Sequence, residues 1–214
     1  MLHGVSLMSF RLVLSIVFAF LLLIDTTLAS LTIRLDSVSR PTDSGNVLVG
    51  VFALSNANVQ IGGFDIPVDF GTAGLTVLPT GISYLGATNT IFSSGSNLES
   101  VPDPLVPVLV DYVVSDATTI PSSRPVLTSG IEAKLFDLSF NVGPTALVGS
   151  TFSIAVSGTH PLFNVNDNFA APILVSGFTA GSLTITAVPE PTSLLLFGLA
   201  AIVAESRRRF RLRA

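Results

Sequence analysis

His160 is the only histidine beyond residue 3, and an imidazole beside a serine and a carboxylate can act as a general base. Hydrolases of that kind built on an α/β sheet carry the serine on a Gly-x-Ser-x-Gly elbow, and no such run occurs. Ser157-Gly158-Thr159-His160-Pro161 reads instead as a turn with an exposed histidine. Four residues further on, Asn164, Asn166, Asp167 and Asn168 set out oxygen atoms of the kind calcium prefers. They lack the glycine and distant glutamate of a regular calcium loop, and the same composition is ordinary in turns. Asp65 and Asp69 are four apart, so on a strand they share a face, and a solvated face is the simpler expectation. The chain has no cysteine, which removes disulfides, thiolate metal sites and a cysteine nucleophile together. The expected protein is therefore not an enzyme and needs no cofactor.

The strongest pattern lies at the C-terminus. Val188-Pro189-Glu190-Pro191 precedes an apolar run and then Arg207, Arg208, Arg209, Arg211 and Arg213. The prolines end the preceding strand, and one can occupy the first turn of a helix, where its missing N–H is not needed. A transmembrane helix is expected over about residues 192–204, whose 13 residues would rise about 20 Å against a hydrocarbon core of about 30 Å. That is short for a permanent anchor and suits a processed one. The arginines would remain cytoplasmic and fix its orientation.

This order resembles the PEP-CTERM sorting signal of Gram-negative, polysaccharide-producing bacteria. The resemblance implies that an exosortase, a membrane-embedded cysteine protease, recognises Val188, Pro189, Glu190 and Pro191 and cuts near them. The four residues would then be read as substrate. The precursor would be anchored in the inner membrane before reaching the cell surface or extracellular matrix.

At the other end, Arg11 precedes an uncharged stretch from Leu12 to Ile24, with Thr27 and Ala29 supplying the small residues a signal peptidase reads. Cleavage between Ala29 and Ser30 is expected, whether translation starts at Met1 or Met8. Export is thus the shared message of both termini. The expected organisation is a signal peptide over 1–29, one domain over 30–187 and the sorting signal over 188–214.

That domain holds four basic residues against eleven acidic ones, so nucleic acid is not an expected partner. Its apolar runs are short and alternate with polar residues between turn formers: 31–38, 47–54, 63–70, 75–78, 82–85, 106–114, 132–142, 152–156 and 182–186. This spacing predicts an all-β sandwich. Within Glu132–Val142 the alternation slips at Phe136, which predicts a bulge. Prolines 102, 104, 107, 121 and 125 mark exposed connections.

Asp43-Ser44-Gly45 before Val47–Val51, then Ile61–Phe70, then Lys134–Val142 together resemble a cohesin-like domain, a single jelly-roll related to carbohydrate-binding modules. The resemblance implies a fold more than an activity, and without a dockerin-like repeat dockerin binding is not carried over. A structural or adhesive surface protein is the resulting expectation. The alternative is a carbohydrate-binding module acting on exopolysaccharide, although the domain has no tryptophan and only Tyr84 and Tyr112 as tyrosines.

Overall fold

The computed structural model describes residues 28–71, 78–93 and 95–188. The signal-peptide core, Pro189–Pro191, the apolar run at 192–204 and the five arginines lie outside the described residues, as does most of the expected strand at 75–78. Among the described residues, no helix is long and apolar enough to cross a membrane.

Among the described residues thirteen strands form two sheets: β1 Ser30–Leu35, β2 Ser37–Pro41, β3 Gly45–Ser55, β4 Val59–Asp69, β5 Ile82–Thr88, β6 Glu99–Pro102, β7 Tyr112–Ala117, β8 Val126–Leu127, β9 Glu132–Val142, β10 Thr151–Val156, β11 Asn164–Asp167, β12 Leu174–Thr179 and β13 Gly181–Thr186. One sheet runs β12-β1-β3-β9-β5 and the other β2-β13-β10-β4-β7-β6, with β11 and β8 added along β4. Period-two alternation puts Phe64, Ile66 and Val68 of β4, and Phe70 just past its end, opposite Leu138, Phe140 and Val142 of β9, all at most 2% exposed. Phe64 stacks on Phe92 and Phe136, while Phe70 gathers Tyr84, Phe140 and Phe152 around it. Each such ring contributes about 2–3 kcal/mol by leaving water.

The expected single strand at 31–38 is two strands in different sheets. Leu31, Ile33 and Leu35 alternate inward, then Asp36 and Ser37 are both polar and Val38 falls out of phase, where the chain steps from one sheet to the other. The C-terminal strands make the same step at Ala180, so β12 lies parallel to β1 and β13 parallel to β2. Where the two steps meet, Ser182 N–H donates to the Asp36 carbonyl at 3.3 Å. A Cβ on Gly181 would collide with that same carbonyl, so only glycine fits.

The expected bulge is present: β3 and β9 change register between Val51 and Phe52, with Leu135 as the extra residue between Lys134 and Phe136. Leu135 and Phe136 are consequently both fully buried. The expected strand at 106–114 begins only at Tyr112, because the segment before it is folded into a loop around Asp103. Strands β6, β8, β11 and β12 had no clear alternating signal; all are short or lie at sheet edges.

Candidate functional site

The chain enters and leaves the sandwich at opposite ends. Ser30 opens β1, its N–H donating to Asn56 Oδ1 at 2.7 Å and its carbonyl accepting from Asn56 N–H at 3.1 Å. β13 closes at Thr186, two residues before Val188, which is 52% exposed. The expected cleavage point Ala29–Ser30 therefore abuts the first paired strand at one pole, and Val188, the first residue of the expected recognition motif, follows the last one at the other.

The outward face of the second sheet carries a polar row. Register aligns Glu99 of β6 with Ser115 of β7, Ser115 with Asp65 of β4, and Asp65 with Asn164 of β11. The row opens into a hollow of about 210 Å³ whose lining includes Asp65, Asn97, Glu99, Ser115, Asp116 and Asn166 and, among the described residues, no arginine, lysine or histidine. Glycine lets β11 come this close, since a Cβ on Gly62 would strike the Asp167 carbonyl. Asp116 is internal to the wall: its carboxylate accepts from Thr90 Oγ1, from Ser96 Oγ at 2.8 Å and from Asn97 N–H at 2.9 Å. Asp65 and Glu99 face outward, so the hollow offers acceptors to a donor-rich surface.

The loop expected at 164–168 is largely a strand. Asn164 and Asn166 fall on one face of β11, with Val165 between them turned into the core at 1% exposure. Asp167 Oδ1 accepts from Phe169 and Ala171 N–H at 2.8 and 2.9 Å, which makes it the organiser of the following turn. Among the described residues, no group of three or more histidine, cysteine, aspartate or glutamate side chains is placed to hold a metal ion.

His160 does sit in a turn, but it is 4% exposed rather than open to solvent. Nε2 lies 3.2 Å from Asp103 Oδ2 and Nδ1 accepts from Leu162 N–H at 3.2 Å. With Nδ1 an acceptor, Nε2 carries the proton donated to Asp103. Both ring nitrogens are engaged, and neither contacts a serine hydroxyl among the described residues. Asp103 also accepts from the N–H groups of Leu105, Leu109 and Val110 at 2.9, 2.7 and 3.2 Å. Burial pushes its pKa up, but these bonds and His160 outweigh burial and hold the carboxyl at about 2.

The result is a clasp that fixes the 103–110 loop to the 157–162 turn over the outer face of β4. Beneath it Val110 and Val113 are at most 3% exposed although they lie outside the main core. Sequence reasoning missed Asp103. The available signal was a lone charge inside Val101-Pro102-Asp103-Pro104-Leu105-Val106-Pro107-Val108-Leu109-Val110, which demands a partner if the run is buried.

Residues 187–209 match the PEP-CTERM protein-sorting motif. A motif of this kind implies an exported protein with a C-terminal membrane anchor that an exosortase processes. No curated protein matches the chain. Among solved structures, the seventh ScaB type I cohesin of Pseudobacteroides cellulosolvens is similar at 11% identity and TM-score 0.52, covering 76% of this chain and 96% of that one. A type I cohesin–dockerin complex from Clostridium thermocellum gives 10% identity and TM-score 0.51, covering 73% and 99%. The third ScaC cohesin of Acetivibrio cellulolyticus, solved with the ScaB dockerin, gives 11% and 0.52, again covering 73% and 99%. At these identities the likeness establishes the fold.

Proposed function

From the premise of a PEP-CTERM protein with a cohesin-like β-sandwich, we propose a non-enzymatic surface module that an exosortase sorts and that serves a structural or adhesive role. The observation that carries this reading is the position of the sorting motif: it begins at residue 187, one residue past the last strand. Cutting near Pro189–Pro191 would free a complete domain without exposing core. The role as a binding module is supported by the acceptor-lined hollow. In two of the solved cohesins of this fold a protein partner is present.

A second reading, binding of exopolysaccharide, draws on one observation. Phe169, 83% exposed, follows β11 within a few residues of Asn166, and a bare ring next to amide and carboxylate acceptors is a usual way to hold a sugar. Binding of purified exopolysaccharide by the full chain and by Phe169→Ala separates the two readings.

The sorting itself is tested by expressing the full chain with and without an exosortase and blotting membrane and medium fractions. Release should require the protease. Glu190→Ala should leave a membrane-held precursor, and loss of Arg207–Arg209 should loosen the orientation of the short apolar run. Release of all variants at the same size and rate, with or without the protease, would sink the reading.

A further inference from the structure

The pole of the sandwich from which the tail departs is built from three connections. Thr42 N–H donates to the Thr186 carbonyl, Asp43 N–H to that of Gly143, and Gly143 N–H to that of Gly81. The 143–150 loop is tied to the last strand by Gly149 N–H donating to Ile185 at 2.8 Å and Ile185 N–H donating to Ser150 at 2.9 Å. Its tip is Leu147-Val148, 69% and 49% exposed, and Ser150 fastens that tip by donating through N–H and Oγ to the Leu147 carbonyl. Two apolar side chains are thus held rigidly outward beside the strand that leads into the anchor.

We infer that Leu147 and Val148 rest in the lipid interface of the membrane while the tail still holds the precursor. The inference builds on the sorting reading above. Only Ala187–Pro191 separates Thr186 from the apolar run, and five residues span about 17 Å at full extension. An eleven-residue strand such as β3 is itself about 36 Å long. The exit pole is therefore held near the bilayer, and the pole bearing Ser30 and Leu174 cannot approach it unless the domain lies on its side.

Charge opposes that sideways pose. The connections at the exit pole, residues 42–44, 78–81 and 143–150, contain one acid, Asp43, and Arg40 is nearby on β2. The other ten acids of residues 30–187 lie elsewhere, including Asp65 and Glu99 on the open sheet face. Facing an anionic leaflet, the exit pole with its single acid can settle where the acid-bearing sheet face cannot. The bulk of the acidic surface then points away. Settling in this way would also hold residues 188–191 close to the surface, where a membrane-embedded protease works.

The test uses the absence of cysteine in the chain, which allows a single reporter to be placed without background. The full chain, exported in a host lacking exosortase, is purified and reconstituted into vesicles of phosphatidylethanolamine and phosphatidylglycerol containing headgroup nitroxide lipid. A fluorophore is attached through Val148→Cys or, at the far pole, Leu174→Cys. Both native side chains are exposed, so both variants should melt like the parent by circular dichroism. Quenching at position 148 should exceed that at 174 by at least threefold, and adding Leu147→Ser should weaken it. Equal quenching in a chain that resists alkaline carbonate extraction would overturn the inference while leaving the anchor standing. A chain stripped from the vesicles by carbonate would overturn the anchored reading and this inference with it.

Discussion

The two outer faces of the sandwich treat their charges in opposite ways. On the β12-β1-β3-β9-β5 sheet, Arg34 reaches Asp36 and Glu132, each at 2.7 Å, and lies over the Phe52 ring, while Lys134 covers Asp137 at 2.8 Å. The Arg34 hydrogen bonds hold the Glu132 carboxyl below its usual range and raise the guanidinium. Ser139, also on this face, spends its hydroxyl on Asn46. On the other sheet no ion pair among the described residues involves Asp65, Glu99 or Asp116. A face whose charges are mutually satisfied offers little to a partner, whereas one left with outward acceptors still has bonds to make.

Four variants break or sharpen this contrast. Gly181→Val removes the frame under both faces by driving a side chain into the Asp36 carbonyl. It should cost about 4 kcal/mol or more, or abolish folding, as read by urea denaturation. Asp103→Asn should cost about 2–3 kcal/mol by unfastening the 103–110 loop from the acceptor-rich face. Because the carboxyl is held at about 2 against an ordinary 3.8, the parent's advantage should be full above pH 3.8. It should vanish as the pH falls through about 2. Melting both proteins across that range checks the sign.

Arg34→Ala, on the satisfied face, should cost only about 0.5–1 kcal/mol and less in high salt, since its ion pairs are well exposed. Asp65→Asn with Glu99→Gln should change stability by less than about 0.5 kcal/mol. A large loss there would show that these acids serve the fold and would remove the contrast between the faces.

The strands of the inner faces were legible in the sequence because burial on one side enforces alternation, and the slip at Phe136 gave away the bulge. The step at Asp36 was hidden because its one mark, the consecutive polar pair Asp36-Ser37 before Val38, looks the same as a bulge within a single strand. β11 was hidden because its asparagines look like a turn when their register partners on β4 are unknown. The His160–Asp103 clasp joins residues 57 apart, and no local pattern reports such a distance. What the tail signified was legible from its order alone, since a proline-bounded motif, an apolar run and terminal arginines act through chemistry rather than tertiary contact.

The most direct measurement is the intact mass of the protein recovered from the surface or medium of an exosortase-bearing host. A domain beginning at Ser30 and ending near Pro189–Pro191 is the predicted species, trimmed close to the strand ends at Ser30 and Thr186. A species that begins before Ser30, or that keeps Arg207–Arg213, would contradict the account.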